Sequence, residues 1–240
     1  MSVATTLTGV DAPVIAVDGT AGSGKSSVSK GVASALGLRY LDTGGMYRAV
    51  TLWMLDHGVD VSDAEAIAAV ANRPTIGSST DPRVPQITLD GRDVSEEIRT
   101  PRVTAAVAAV AAVPAVRQAM AVRQRAVAAA ARASGEGLIA EGRDIGTVVL
   151  PDADVKLFLT ADPDVRAARR AAEDGARGHG GHVASTAADL ARRDAADSGR
   201  ATSPLRQADD AVVIDASYDS LADVIARALA VIQERTGDRR

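Results

Sequence analysis

The chain contains no cysteine and few aromatic residues, and both shortages narrow its chemistry. Without cysteine there are no disulfides and no thiolate metal ligands, which is typical of proteins of the reducing cytoplasm, so we expect a cytoplasmic location. Aromatic residues make up 2% of the 240 residues, so recognition of any nucleobase would have to rely on arginine and carboxylate hydrogen bonds. Asn72 is the only asparagine and Arg-Pro follows it, which argues against the Asn-Lys-x-Asp guanine reader of a GTPase-type switch.

Charge and hydrophobic patterning exclude two further classes of partner. A formal net charge of -4 argues against general affinity for a polyanion, so we expect small anionic ligands and no nucleic acid. The first dozen residues lack a basic region followed by an apolar stretch, and the apolar tract 103–116 is broken by Pro114. We therefore expect no signal peptide and no membrane partner. A monomeric chain is a separate expectation.

The most informative stretch is Gly-Thr-Ala-Gly-Ser-Gly-Lys-Ser, residues 19–26, directly after an apolar run. This is the P-loop spacing, in which backbone N–H groups surround the phosphates of a nucleoside triphosphate, the lysine reaches the outer phosphates and the serine hydroxyl can bind Mg²⁺. An ordinary glycine-rich turn would explain neither the lysine nor the hydroxyl. The predicted triphosphate-binding residues are Gly19, Thr20, Ala21, Gly22, Ser23, Gly24, Lys25, Ser26 and Ser27, with Mg²⁺ at Ser26.

Alternating strands and helices predict an α/β fold with a parallel sheet covered on both faces. Predicted strands cover residues 14–18, 38–41, 138–140, 155–159 and 211–215, and 42–45 is a predicted loop. A capping box at 62–65 predicts a helix to Asn72, and Pro114 is expected to interrupt the helix that Thr100-Pro101 opens. Residues 86–89, followed by Asp90-Gly91, predict a strand and a hairpin turn within a small β insertion.

Four clusters accompany the P-loop, and each by itself is a weak signal. They are Asp42-Thr43-Gly44 with Tyr47-Arg48; Arg117; Glu141-Gly142-Arg143-Asp144-Ile145-Gly146-Thr147; and Arg193-Asp194 with Asp197 and Arg200. In this order and spacing, together with the insertion, the set resembles the bacterial cytidylate kinases from Pro13 to the last helix.

The resemblance implies a P-loop NTPase fold of the adenylate-kinase type. Its five-stranded parallel core sheet is flanked by helices and carries a small β-containing insertion in the nucleoside-monophosphate (NMP) domain and a short lid. The expected divisions are a disordered arm 1–12, core 13–43, NMP-binding region 44–112 with the insertion at 73–99, core 113–174, lid loop 175–185, core 186–235 and disordered tail 236–240. The glycine-rich stretch 175–184 is expected to be mobile without nucleotide. The implied reaction is phosphorylation of CMP and dCMP to CDP and dCDP by ATP with Mg²⁺.

The same resemblance implies roles for individual residues. Arg48, Arg143 and Arg200 match the positions that grip the phosphate of the monophosphate, where each guanidinium can donate two hydrogen bonds. Arg117 and Asp144 match the cytosine-reading positions. The remaining implied residues are Arg193 and Asp197 at the sugar, Thr43 and Tyr47 in the CMP site, and Lys25, Arg143, Arg200 and Arg166 as the catalytic set.

Several of these assignments have a purely structural alternative. The three phosphate arginines could form surface salt bridges, and Asp144 could be a buried partner of Arg143. Arg193 and Asp197, at i and i+4, could form an ordinary helix ion pair. For Arg166, and for Arg169 and Arg170 near it, the choice lies between contact with ATP and exposed helix charge.

Two positions depart from the family pattern, and two histidines have a spacing that is also found in metal sites. Ala108 stands where relatives often carry a serine near the nucleotide, so Thr104, one turn earlier, is the candidate replacement hydroxyl and the ribose-to-deoxyribose preference is open. Glu141, where some relatives have aspartate, could hold a water on Mg²⁺ or orient Arg143. His179 and His182 have a spacing that some zinc sites use, but no cysteine or carboxylate cluster accompanies them.

Three functions follow from these observations. The leading hypothesis is a CMP and dCMP kinase. A P-loop kinase acting on AMP, UMP or a metabolite is the nearest rival enzyme, and the Arg117–Asp144 pair separates the two. A nucleotide-binding module without catalysis is the third, and the number of phosphate-facing arginines argues against it.

Overall fold

The computed structural model of the chain describes residues 12–178 and 182–237. Its strands are β1 (Val14–Gly19), β2 (Arg39–Asp42), β3 (Ile76–Ser78), β4 (Ile87–Leu89), β5 (Arg92–Asp93), β6 (Leu138–Glu141), β7 (Val155–Thr160) and β8 (Val212–Asp215). Its helices are α1 (Lys25–Leu36), α2 (Thr43–Asp56), α3 (Ala64–Val70), α4 (Pro101–Ala112), α5 (Pro114–Ala133), α6 (Pro163–Ala176), α7 (Val183–Ser198) and α8 (Leu221–Gly237).

Five parallel strands form the central sheet in the order β2-β6-β1-β7-β8. Strand β1 is central and wholly buried, with Val14 paired to Leu138 of β6 and Ile15 paired to Val155 of β7. Helices α1 and α8 pack on one face, and α2, α4 and α5 contribute to the apolar layer on the other. The sheet covered on both faces, predicted from the alternating elements, is confirmed.

A separate antiparallel sheet, β3-β4-β5, lies within the stretch read as a β insertion. Asp90 (φ 49°) and Gly91 (φ 84°) are the two residues between β4 and β5. Positive φ at both positions is the geometry of a type I′ hairpin turn, as the Asp-Gly pair predicts. The sheet contacts α2, so it stands beside the region that begins at the end of β2.

The structure differs from the prediction at the start of α2 and at the end of α3. Residues 43–45 are helical, because the Asp42 carboxylate accepts a hydrogen bond from Gly45 N (2.7 Å) and caps α2. Helix α3 is capped by Asp63, whose side chain accepts from Glu65 N and Ala66 N, and it ends at Val70, two residues short of the predicted end. The break at Pro114 is confirmed, since α4 and α5 meet there at 95°.

The predicted lid loop 175–185 is shorter than expected. Helix α6 continues to Ala176, supported by an i,i+4 ion pair between Arg170 and Asp174 (3.0 Å), and α7 already begins at Val183. The expected mobility of 175–184 concerns a stretch whose residues 179–181 lie outside the described residues. The predicted tail also needs correction, because α8 extends to Gly237. The arm 1–12, except Ala12, and residues 238–240 lie outside the described residues too.

No single helix among the described residues has both the length and the hydrophobicity to cross a membrane. Helices α4 and α5 satisfy that test only as a bent pair.

Candidate active site

The P-loop lies at the carboxyl end of β1, where the loop turns into α1. Gly19 has φ +145°, and a Cβ there would lie 1.9 Å from Leu159 O of the adjacent strand, so only glycine fits. Lys25 is buried, and its Nζ donates to Thr20 O at 2.6 Å. Burial, and after it the positive charge of Arg143, lowers the pKa of Lys25 to about 7. Ser26 and Ser27 are exposed in the first turn of α1.

Glu141 ends β6 beside this loop and is buried. Its carboxylate accepts a hydrogen bond from the Tyr40 hydroxyl, and its carbonyl accepts one from Thr43 Oγ1 at 2.5 Å. Burial, followed by the charge of Asp42, raises the pKa of Glu141, whereas Lys25 and the Ser26 hydroxyl act in the opposite direction. The carboxylate therefore faces the P-loop lysine and serine. It makes no hydrogen bond to Arg143 within the described residues, so no direct contact supports the alternative in which it orients that arginine.

Arg117 and Asp144 form a buried ion pair, with side chains 7% and 6% exposed. The Arg117 guanidinium also donates to Ala111 O (3.2 Å) and lies 5.4 Å from the centre of the Tyr47 ring. Asp144 is thus a partner of Arg117, and the alternative that pairs it with Arg143 is wrong. The two residues predicted to read one base are adjacent, as that role requires, and Tyr47 supplies an aromatic face beside them.

Arg143 and Arg200 share one carboxylate. Arg143 Nε donates to Asp197 Oδ2 at 3.0 Å, and Arg200 Nη1 lies 3.1 Å from Asp197 Oδ1. Arg193 makes no ion pair with Asp197 in the described part of the chain, so the predicted helix ion pair does not form. The Nε and Nη2 groups of Arg200 and the Nε of Arg117 are buried donors that find no acceptor among the described residues.

Arg48 is held differently from the other two phosphate-gripping candidates. It is buried, and its Nη1 donates to Ile98 O (3.0 Å) and Thr104 Oγ1 (2.9 Å). The candidate replacement hydroxyl of Thr104 is therefore engaged with an arginine. Ala108 follows one turn later on α4 and lines a cavity of about 730 Å³ together with Thr104 and Arg193.

Arg166 is buried and does not behave as an exposed helix charge. Its guanidinium donates to Ala161 O (3.1 Å), to Ala21 O of the P-loop (3.1 Å) and to the carboxylate of Asp194. Asp194 also accepts from Ala21 N at 3.2 Å. By contrast, Arg169 donates to Ala216 O (2.6 Å) and Arg170 pairs with Asp174. Arg166 is thus the member of this group that touches the triphosphate-binding loop.

A cavity of about 170 Å³ lies between the P-loop and the arginines. Its lining includes Lys25, Ser26, Arg48, Glu141, Arg143, Arg193, Arg99 and Arg170. Three of these arginines, Arg99, Arg170 and Arg193, also line the larger cavity, so one cleft rich in positive charge runs from the P-loop to α4. Such a cleft suits two phosphorylated ligands held face to face.

Two carboxylates that the sequence argument gave no role belong to this site. Asp18, the penultimate residue of β1, is buried and accepts from Ile145 N (2.8 Å) and Gly146 N (2.7 Å), which fixes the loop that carries Arg143 and Asp144. Asp194 joins α7 to the P-loop. The sequence did contain a feature that could have indicated Asp18, because a charged residue at the carboxyl end of an otherwise apolar strand is unusual. The only comparable feature for Asp194 was its position next to Arg193.

Zinc binding at His179 and His182, which the sequence argued against, is not tested by the structure. His179 lies outside the described residues, and no group of three His, Asp or Glu side chains arranged to hold a metal occurs in the described ranges.

A parallel sheet with a P-loop after its central strand, facing convergent arginines, defines a P-loop kinase. The cytidylate kinase family model matches residues 15–234. A cytidylate kinase of Streptomyces avermitilis is 53% identical over 94% of this chain and 95% of its own. One of Rhodococcus jostii is 54% identical over 93% and 96%. The chain belongs to the cytidylate kinase family.

Among solved structures, a gluconokinase from Sinorhizobium meliloti is similar over 95% of both chains, with a TM-score of 0.47 and 15% identity. A likeness of that strength has no bearing on substrate.

Proposed function

We propose that the protein transfers the terminal phosphoryl group of ATP to CMP and dCMP, giving ADP with CDP or dCDP. The observation that carries this proposal is the set of buried arginine donors without an acceptor, two on Arg200 and one on Arg117, around Tyr47. Buried polar groups in folded proteins are almost always hydrogen-bonded, so these unpaired buried donors beside Tyr47 favour an anionic or polar ligand at this place. A nucleotide supplies both kinds of acceptor, a phosphate and a base.

The chemistry asks little covalent participation of the protein. The phosphate oxygen of a monophosphate is already anionic, so an in-line transfer needs no general base, only orientation and charge stabilisation. Lys25 and Arg166 would act on the ATP side. On the acceptor side, Arg143 and Arg200 would exchange Asp197 for the incoming phosphate, which frees that carboxylate for a sugar hydroxyl and leaves Arg193 beside the sugar. Closure of α6 and α7 over the cleft would exclude water.

The Arg117–Asp144 pair supports cytosine as the base. Cytosine presents acceptors at N3 and O2 and a donor amine at N4. The unpaired Arg117 Nε can donate to a ring acceptor, and the Asp144 carboxylate can accept from the amine. Uracil would instead turn a carbonyl oxygen toward the carboxylate, which is repulsive. The protein would therefore discriminate between the two pyrimidines by charge.

Magnesium is the proposed metal, and the residues at the P-loop fit it. The exposed Ser26 hydroxyl and the Glu141 carboxylate lie on the same side of the loop, and Mg²⁺ prefers oxygen donors with several waters and substrate phosphates as its other ligands. When bound, the ion would supply neutralisation of phosphate charge. Ser26 would hold it directly and Glu141 through a water.

The decisive experiment is a coupled ADP-release assay with ATP and each common nucleoside monophosphate in turn. We expect CMP and dCMP to be the efficient acceptors, with UMP and AMP far behind. Preference for AMP, or ATP hydrolysis indifferent to CMP, would refute the proposal. The cytoplasm, where ATP and nucleoside monophosphates occur together, is the proposed location. The monomeric state stays a prediction that analytical ultracentrifugation can check.

A further inference from the structure

Arg48 is the one of the three phosphate-gripping arginines with no carboxylate partner within 4 Å in the described ranges, since Arg143 and Arg200 both contact Asp197. Its two hydrogen bonds go to uncharged acceptors, the Ile98 carbonyl at 3.0 Å and the Thr104 hydroxyl at 2.9 Å. Both bonds are made by Nη1. No acceptor among residues 12–178 and 182–237 contacts the Nε and Nη2 edge, which is the edge that forks onto a phosphate.

Arg48 is buried among other positive charges, so it matters that its hydrogen-bond partners are uncharged. Arg48 is 9% exposed. Burial lowers its pKa to about 9, and the nearby charges of Arg193, Arg170 and Arg99 act in the same direction, whereas Asp42 acts in the opposite one. A carboxylate partner would stabilise the cation but would also neutralise it and compete with an incoming phosphate. A hydroxyl and a carbonyl orient the guanidinium without pairing its charge, which leaves it available to the ligand.

We propose that Thr104 is a positioning residue for Arg48: its hydroxyl aims the guanidinium at the phosphate of the acceptor nucleotide. The inference rests on the proposed function and specifies how the acceptor phosphate is held. It also gives a different interpretation of Ala108, the position at which relatives often carry a serine. On α4 the hydroxyl of this chain stands one turn earlier and serves the phosphate arginine, not the sugar.

This role makes a prediction that a sugar contact would not. A residue acting through Arg48 affects every ligand that carries the phosphate, so CMP and dCMP should respond equally. Cytidine has the same base and sugar but no phosphate, so its binding should not respond. A purely structural role would instead affect all three ligands and the thermal stability.

The test compares Thr104→Val, which has nearly the same shape without the hydroxyl, with Thr104→Ser, which restores the hydroxyl. Thr236→Val is the matched control, because Thr236 is also a helical threonine with a hydrogen-bonded hydroxyl, donating to Ile232 O (2.8 Å) on α8. The measurements are KM and kcat for CMP and dCMP, KM for ATP, the inhibition constant of cytidine and the melting temperature.

For Thr104→Val we expect KM to rise about tenfold for CMP and for dCMP alike, the lower end of the loss expected when one hydrogen bond to a charged group is removed. The KM for ATP and the inhibition constant of cytidine should stay unchanged. Thr104→Ser should restore the wild-type KM, and Thr236→Val should match wild type.

Three results would overturn the proposal: an unchanged KM for CMP, a rise for CMP without one for dCMP, or an equal loss of cytidine affinity. If the valine variant did not fold, failure of the serine variant to keep the wild-type KM would count against it as well. Wild-type turnover of CMP checks the proposed function separately; its absence would overturn both, whereas normal turnover with an insensitive Thr104 overturns only this inference.

Discussion

Replacing Asp144 by asparagine tests the proposed base recognition most directly. The Asp144 side chain is 6% exposed and paired with an Arg117 that is 7% exposed. Asparagine keeps the shape but removes the charge, so a buried guanidinium loses its ionic partner. Removing one partner of a buried pair is costly, and a remaining amide acceptor offsets part of the loss, so we expect a fall of about 2 kcal/mol in the free energy of unfolding.

The effect on specificity is separate from the effect on stability. The asparagine amide can donate to the O4 of uracil, whereas the carboxylate repels it. A mispaired buried polar contact is worth roughly 1 to 3 kcal/mol, so the ratio of kcat/KM for CMP to that for UMP should drop by about tenfold or more. The assay measures both efficiencies at a temperature where circular dichroism shows the variant folded. Asp209→Asn, at an exposed position, is the control for loss of one negative charge.

Two outcomes would refute this reasoning. If both efficiencies fall by the same factor, Asp144 only supports Arg117 and does not read the base. If neither changes, the residue lies outside the nucleotide site.

Substitutions at Lys25, Gly19 and Asp18 test the site and the loops that support it. Lys25→Ala should keep the circular dichroism spectrum but reduce turnover by at least about 100-fold, because the buried lysine that pairs with the phosphates is lost. Near-normal turnover would contradict the P-loop assignment. Gly19→Ala should destabilise the protein by about 3 kcal/mol or more in thermal melting, because its Cβ would overlap Leu159 O. The control Gly58→Ala, where a Cβ has open space at φ 66°, should cost about 1 kcal/mol. Burial raises the pKa of Asp18 from 3.8 to about 6, so the native state holds this proton more tightly than the unfolded chain, and the resulting stability is present below about pH 4 and lost as pH rises through 6. Urea unfolding should therefore show wild type losing about 2 kcal/mol relative to Asp18→Asn between pH 4 and 6, and parallel curves would contradict the assignment.

The amino-acid sequence by itself determined the elements of the fold and the phosphate-binding loop. Gly37 ends α1 in the left-handed conformation, Asp90-Gly91 forms the hairpin turn and Pro114 breaks the long helix, each as predicted. These signals are local, because a backbone conformation or a missing N–H acts within a few residues of its own position. The apolar runs likewise indicated which strands are buried, since burial on both faces requires continuous hydrophobicity.

The tertiary structure alone decided which charged groups meet. Asp144 pairs with Arg117, 27 positions away, and Arg143 reaches Asp197 across 54 positions. Arg48 finds Thr104 across 56. A chain rich in arginine offers many partners of opposite charge, and nothing within a few residues of either member selects among them. The packing of α4 against α2, α5 and α7 makes that selection, because a buried charge is stable only next to the group that the fold places within hydrogen-bond distance.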